Sequence, residues 1–223
     1  MKKTPWLLTT FLPLALLGQQ QQEKTSQTPK QHHSIGIGIR AGLNFANVTN
    51  ASSINGSSRT GFHAGVFLAP ETHSVLGSRT ELLFSRNGYN YMSGTANGSV
   101  NLDYIQLAQL MAIHITRYFE IDLGGQTGYL LHAKADSSQP STGNASVDKL
   151  LSFYNRFDFG FGGGAEVHPI AGLIIGARYN ISLTNLYKQS YQSNGTTPPS
   201  FIPSSSSINF KNNVVQLYLG YRF

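Results

Sequence analysis

Hydrophobic and polar residues alternate along most of the chain after its first 34 residues. Residues 35–45 place Ile, Ala, Leu and Phe on one face and Gly, Arg and Asn on the other. Residues 157–167 repeat the pattern, with three phenylalanines opposite aspartate, glycines and glutamate. A period of two residues predicts strands with one apolar face and one polar or empty face.

The alternation recurs often enough to predict about eight strands. Two of the segments are less regular, residues 78–86 and residues 102–113. The pattern does not fix the phase of the second, and a bulge would account for it. Each segment is close to the roughly 10 residues that a tilted strand needs to cross a bilayer.

The connections between these segments also follow a pattern. Short connections are expected around residues 70–73, 114–117 and 168–171, and long polar ones at residues 46–58, 87–99, 132–151 and 185–209. Short turns on one side and long loops on the other are typical of transmembrane barrels. The sequence therefore predicts an all-β, antiparallel, up-and-down transmembrane barrel of about eight strands.

The N-terminal segment has a different character. Lys2 and Lys3 precede an apolar stretch that ends near Gly18, which is typical of a secretory signal peptide. Residues 19–34 are rich in Gln, Thr and Lys, and we expect a flexible periplasmic leader. We therefore divide the chain into a signal peptide (1–18), this leader (19–34) and the barrel (35–223).

The composition of the chain excludes several classes of function. Only 12% of the 223 residues are charged, about half of the usual roughly 25%. The net charge is +6, but the basic residues form no block, so we expect no nucleic-acid partner. The absence of cysteine excludes disulfide scaffolds, thiolate metal sites and a cysteine nucleophile.

The polar faces decide which way the strands point. A soluble lipocalin-type barrel would turn its apolar faces inwards, but here the polar faces are rich in glycine, which makes room inside a narrow barrel. They also carry equal numbers of arginines and carboxylates and no lysine. Because the guanidinium fork satisfies several carboxylates in a confined space, we expect an interior polar network of Arg40, Arg79, Glu81, Glu120, Asp122, Arg156, Asp158, Glu166, Arg178 and Arg222.

Aromatic residues favour the same orientation. They lie mostly near predicted strand ends, where the interfacial girdles of membrane barrels belong. The expected girdle residues are Phe45, Tyr89, Tyr91, Phe119, Tyr129, Phe153, Tyr154, Tyr179, Tyr187, Tyr221 and Phe223. The apolar strand faces are then expected to contact lipid.

Catalytic and metal-binding signals are weak. His63 lies on a strand and faces the predicted interior, but no serine at a recognisable motif spacing accompanies it. No paired histidines occur at a ligand spacing within a strand, and the acidic residues are interleaved with arginines. We therefore expect no catalytic residue, no metal and no cofactor.

Several motifs carry a resemblance to a known family. They are residues 38–45 (GIRAGLNF), residues 80–88 (TELLFSRNG), residues 103–107 (DYIQL) and the aromatic Phe223. Residues 35–223 resemble the small outer-membrane barrels of the PorT-like or "porin family" type, which are distantly similar to eight-stranded OmpA/OmpX-type barrels. Ala108 departs from that family, which often has proline there.

The resemblance implies a place and partners for the chain. It implies a bacterial outer-membrane location, with Leu217, Leu219, Tyr221 and Phe223 matching the signal that the barrel assembly machinery reads. We expect an integral barrel with a polar, largely plugged interior that acts as a structural or surface-interaction protein through its long extracellular loops. Its partners would be outer-membrane lipid, the assembly machinery and an unidentified extracellular or periplasmic molecule.

Three alternatives remain open from the sequence. The first is a lipid hydrolase or acyltransferase on the barrel wall, with His63 as its candidate residue. The second is a narrow channel past the interior glycines. The third is a soluble lipocalin-like carrier.

Overall fold

A computed structural model describes residues 35–48, 57–70, 74–93, 96–137, 151, 153–188 and 210–223. The described strands are β1 (Ile35–Val48), β2 (Ser57–Pro70), β3 (Leu76–Ser93), β4 (Ala96–Thr116), β5 (Phe119–Ser137), β6 (Phe157–Val167), β7 (Leu173–Ser182) and β8 (Asn212–Arg222). Each is antiparallel to its neighbours in the chain, and β8 pairs with β1 to close the ring. The predicted eight-stranded up-and-down barrel is confirmed.

The N-terminal predictions fall on a part of the chain that lies outside this description. The signal peptide (1–18) and the leader (19–34) both precede the first described residue and stay predictions. In the described part of the chain, no helix has the length and apolar character needed to cross a membrane.

The apolar faces of the strands point outwards. Phe161 on β6 is 61% exposed, whereas Arg40 on β1 is 3% exposed. The burial of β1 and β8 alternates residue by residue along each strand. This is the reverse of a soluble barrel with an apolar interior, and it follows from the phase of each strand.

Glycines on the inner face make room for large side chains across the narrow interior. A Cβ at Gly38 would overlap the ring of Phe67, and one at Gly176 would overlap the ring of Tyr218. Both rings are buried. The glycine-rich inner face therefore has a steric cause at these positions.

Strand β4 has an unbroken phase, and its bulge lies on the neighbouring strand. Even-numbered residues from Val100 to Ala112 are buried throughout. The ladder shifts on β5, where Leu131 is left between the partners of Asp103 and Tyr104. The sequence obscured this phase because the inner face of β4 itself carries Leu102, Tyr104 and Leu110.

The two ends of the barrel differ. The turn end has the connections 71–75, 117–118 and 168–172, and the opposite end is called the loop end. The expected long connection at residues 87–99 is wrong, because β3 and β4 continue through it and pair from Asn87↔Leu102 to Ser93↔Ala96. These strands continue because their inner side chains, including Tyr89, Tyr91 and Val100, pack into an apolar cluster.

Adjacent glycines on β5 give a direct test of the steric role of the inner face. A Cβ at Gly124 would overlap the Gln109 carbonyl oxygen and lie 2.7 Å from Leu110 Cα, both backbone atoms. We expect Gly124→Ala to lower the free energy of unfolding by about 1–3 kcal/mol. The measurement is urea unfolding in detergent micelles, followed by the gel shift between folded and unfolded chain.

Gly125→Ala is the matched control. At Gly125 a Cβ would meet only the Gly160 carbonyl oxygen, at 4.0 Å. We expect its unfolding free energy to stay within about 0.5 kcal/mol of the unsubstituted protein. Equal stability of the two variants would contradict the steric explanation.

Candidate functional site

The carboxylate of Glu81 is the centre of the polar interior. Glu81 is fully buried on β3, between Arg40 of β1 and Arg178 of β7. Arg40 Nη1 donates to Oε2 at 2.8 Å, and Arg178 Nη1 donates to the same oxygen at 2.7 Å. Both arginines also reach Oε1, at 2.9 and 3.0 Å. These charge-assisted bonds join strands from opposite parts of the chain.

Arg79 forms a second branch of the network towards the turn end. Its Nη2 donates to Glu120 Oε1 at 2.6 Å, and its Nη1 donates to Glu166 Oε1. Arg178 Nη2 donates to Asp122 Oδ2 at 2.8 Å, and Arg79 Nη1 lies 3.7 Å from Asp122 Oδ1, so Asp122 links the two branches. All five side chains are buried, which is expected of charges that are paired.

Tyr218 on β8 is an interior residue that the sequence analysis did not single out. Arg40 lies over its ring, with Cζ 3.5 Å from the centroid, a cation–π geometry. Its hydroxyl donates to Glu166 Oε1 at 2.7 Å. The alternation along β8 could have identified it, because Tyr218 lies on the same inner face of the strand as Gln216.

A neutral polar layer lies beside Arg40. His63 Nδ1 donates to Asn44 Oδ1 at 2.7 Å, and Arg40 Nη2 lies 3.3 Å from His63 Nε2. The Asn44 side-chain nitrogen donates to Ser85 Oγ at 2.9 Å, and Arg40 also reaches Gln216 Oε1 at 3.3 Å. Both ring nitrogens of His63 therefore have partners within the interior.

Seven of the ten residues predicted for the network lie together. They are Arg40, Arg79, Glu81, Glu120, Asp122, Glu166 and Arg178, joined by the ion pairs described above. Three others do not join them. Their positions show that the phase of a strand predicts the face of a side chain but not its depth in the barrel.

Each of the three has its own surroundings. Arg156 is exposed just before β6, with Nη1 3.4 Å from the Tyr129 hydroxyl. Asp158 is half-buried and accepts a hydrogen bond from the Ser182 hydroxyl instead of an arginine. Arg222 is half-exposed at the end of β8, where it lines a cavity at the turn end.

An apolar cap fills the interior at the loop end. It contains Val48, Tyr89, Tyr91, Val100, Leu102, Tyr104, Leu130, Ala133, Leu151, Phe153, Tyr154, Leu186, Tyr187 and Phe210. The segments before β6 and after β7 enter it through the bridge between Tyr154 and Tyr187. Five predicted girdle residues, Tyr89, Tyr91, Phe153, Tyr154 and Tyr187, are therefore buried here, and their assignment to the girdle is wrong.

Three of the tyrosine hydroxyls within the cap bond one another. The Tyr89 hydroxyl lies 2.9 Å from that of Tyr154 and 2.5 Å from that of Tyr187. Burial, and then the neighbouring Tyr187, raise the pKa of Tyr154 well above its usual value. The cap thus buries these three phenols without leaving their hydroxyl groups unpaired.

The other predicted girdle and assembly residues lie on the outer face. Phe45, Phe119, Tyr129, Tyr179, Tyr221 and Phe223 are exposed. Leu217 and Leu219 are exposed beside them on β8. Recognition of Leu217, Leu219, Tyr221 and Phe223 by the assembly machinery stays a prediction.

The family model for the outer membrane protein beta-barrel domain matches residues 19–188, more than half of the chain. The chain belongs to this family. It is an integral protein of the bacterial outer membrane, and the structure shows that β8, which lies beyond the matched residues, closes the family's barrel. The finer PorT-like assignment stays a prediction.

Three solved structures of bacterial proteins have a similar fold. Ail, the attachment invasion locus protein of Yersinia pestis, is 15% identical with a TM-score of 0.46, over 85% of this chain and 99% of that chain. Neisserial surface protein A is 14% identical with a TM-score of 0.48, over 84% and 97%. OprG from Pseudomonas aeruginosa is 10% identical with a TM-score of 0.42, over 86% and 97%. No curated protein matches.

The charge network gives a prediction about the stability of this outer-membrane barrel. In Arg178→Leu, the buried Asp122 loses its 2.8 Å partner and Glu81 keeps only one close guanidinium. We expect a loss of about 3–5 kcal/mol, because buried charges are left without compensation. Urea unfolding in detergent measures it through the gel shift.

Arg156→Leu is the matched control for that variant. Its guanidinium is exposed and outside the network, so we expect a change within about 0.5 kcal/mol. A barrel that loses the same stability in both variants would show that the buried pairing is not what stabilises it.

Proposed function

We propose that this protein is a non-conducting outer-membrane barrel that acts as a structural or surface-interaction protein through the segments at its loop end. The observation that carries the proposal is the filled interior. Glu81 is held in mid-barrel by arginines from two other strands, with distances of 2.7–3.0 Å. An eight-stranded barrel is just wide enough for its own side chains, which supports a plugged interior.

The apolar cap supports the same conclusion at the loop end. Leu102, Leu130 and Phe210 are fully buried there, and the Tyr89 hydroxyl joins β3 to the segments that hold Tyr154 and Tyr187. An ion entering from this end would meet this apolar layer before it reached the buried arginines and carboxylates of the network. Desolvating an ion against apolar side chains is strongly unfavourable.

A non-enzymatic role is supported by the surroundings of His63. Its Nδ1 faces Asn44 and its Nε2 faces Arg40, so neither nitrogen faces a nucleophile. The nearby Ser85 is fully buried and bonded to Asn44. A general base must reach the proton that it removes, and this geometry does not favour the barrel-wall hydrolase or acyltransferase.

The longest strands provide the proposed surface at the loop end. β3, β4 and β5 have 18, 21 and 19 residues, whereas β6, β7 and β8 have 11, 10 and 11. The longer strands project the β3–β4 hairpin beyond the shorter ones, with Met92 and Asn97 exposed near its tip. Surface loops on a rigid barrel are the usual place for recognition.

The proposed partners follow the three surfaces of the barrel. Outer-membrane lipid would contact the exposed apolar residues of the outer face. The assembly machinery would read β8 through Leu217, Leu219, Tyr221 and Phe223. An unidentified extracellular molecule would bind the loop end.

Conductance tests the non-conducting barrel. Purified protein incorporated into planar lipid bilayers is expected to give no discrete current steps, under conditions in which a general porin gives them. Current steps that change in Arg40→Ala but not in Arg156→Ala would contradict the proposal. Of these two residues, Arg40 lines the interior and Arg156 is exposed.

Cysteine labelling tests which side of the membrane the loop end faces. The sequence has no cysteine, so an introduced cysteine is the only thiol that a maleimide can label. In intact cells, a membrane-impermeant maleimide is expected to label Met92→Cys, which is 53% exposed at the loop end. Ile170→Cys, 66% exposed in a turn at the other end, is the control and is expected to react only after the outer membrane is permeabilised. The reverse pattern would place the proposed recognition surface in the periplasm.

A further inference from the structure

Two histidines and two glutamates meet at the turn end of the interior. Glu120 on β5 lies directly opposite Glu166 on β6, and His114 on β4 lies opposite Glu120. His168 follows β6, two residues after Glu166. Both carboxylates are buried, whereas the histidine side chains are 33% and 26% exposed.

Arg79 occupies only one oxygen of each carboxylate. It bonds Oε1 of Glu120 and Oε1 of Glu166. The other oxygens face the histidines, with Glu120 Oε2 3.0 Å from His114 Nε2 and Glu166 Oε2 3.5 Å from His168 Nε2. Each carboxylate thus turns its second oxygen towards a histidine.

Glu166 Oε2 stands out because Glu166 is only 1% exposed. Within the described ranges, neither this oxygen nor His168 Nε2 has a hydrogen-bond partner. Buried carboxylate oxygens are normally satisfied. The two atoms pair with each other only at 3.5 Å, which is also close to the spacing of two ligands around one metal ion.

The charges of the network favour a cation at this point. Its buried ion pairs join three guanidinium groups, of Arg40, Arg79 and Arg178, to four carboxylates, of Glu81, Glu120, Asp122 and Glu166. Arg117 and Arg222 line the adjoining cavity, but among the described ion pairs neither reaches Glu120 or Glu166. The network thus has one more carboxylate than guanidinium group, and two of its carboxylates, those of Glu120 and Glu166, face the histidines.

The ligand atoms fit a small transition-metal ion. Glu120, Glu166 and His168 each offer one, and the three atoms lie within 4.8 Å of one another. Zinc binds imidazole nitrogen and carboxylate oxygen at about 2.0–2.2 Å, which places tetrahedral ligands about 3.3–3.6 Å apart. The 3.5 Å between Glu166 Oε2 and His168 Nε2 is close to that spacing, and an imidazole ligand disfavours Mg²⁺ and Ca²⁺.

We propose that Glu120, Glu166 and His168 form a binding site for a divalent transition-metal ion of the Zn²⁺ class at the turn end of the barrel. His114 orients Glu120, as outer partners of metal ligands do. A cavity of about 560 Å³, lined by His114, Glu120 and His168, gives the ion its entry. The ion joins β5 to the end of β6.

Calorimetric titration of the full chain, folded in detergent and free of tag histidines, tests the site. Zn²⁺ is expected to bind with one equivalent per barrel and to raise the unfolding temperature, since it binds only the folded state. His168→Ala is expected to weaken binding at least about tenfold. Glu166 is not the residue to replace first, because Arg79 and Tyr218 also bond it.

Matched variants locate the metal. His132→Ala, at an exposed position on β5 towards the loop end, and the double variant His32→Ala with His33→Ala are expected to bind like the unsubstituted protein. Absence of binding, or binding that survives His168→Ala and is lost in the double variant, would overturn the proposal.

The visible absorption of bound Co²⁺ detects the metal site directly, so it does not depend on a change in the stability of the barrel. The visible d–d bands of tetrahedral Co²⁺ are expected with the unsubstituted barrel and are expected to be lost in His168→Gln, while the folded gel band is retained. Unchanged bands in His168→Gln would also overturn the site.

Discussion

A fully buried carboxylate inside a ring of strands has to be neutralised without water, and much of the interior is organised around this requirement at Glu81. Its oxygens accept from Arg40 and Arg178, which lie on the first and seventh strands. Neither pairing alone offsets the desolvation of a buried charge. The three strands must therefore be in register together, and a shift of one residue in any of them would turn its charged side chain to the outer face.

Large charged and aromatic side chains in a narrow lumen explain the glycines that accompany them. The rings of Phe67 and Tyr218 occupy the space in which Gly38 and Gly176 would carry a Cβ. Tyr218 in turn lies beneath Arg40 and bonds Glu166. The low charge of the chain and its high glycine content thus have one origin, because few charges fit inside and those that fit require empty positions around them.

The sequence predicts which face of a strand a side chain occupies, but it does not predict how deep in the barrel that side chain lies. Alternation predicts the inner face of Arg40, Glu81 and Arg178 because neighbouring apolar positions fix it. It assigns Arg156 to the same network although this residue lies outside β6 and is exposed. Depth depends on the register between strands, such as Glu120↔Glu166, and no single-strand pattern contains that information.

The absence of depth information in the sequence also explains why the apolar cap was not predicted. Tyr89 and Tyr154 lie near strand ends, which is also where girdle aromatics occur, so position alone did not separate the two environments. The pairing of the strands separates them. β3 continues beside β4 to Ser93, and Tyr89 lies on its inner face, within the apolar cluster. Charges then occupy the interior from mid-barrel to the turn end, where the low dielectric strengthens their pairing, and apolar rings separate them from the loop end. Since the cap covers one side of the network, the histidine-lined cavity at the turn end is the side on which its buried glutamates come closest to water.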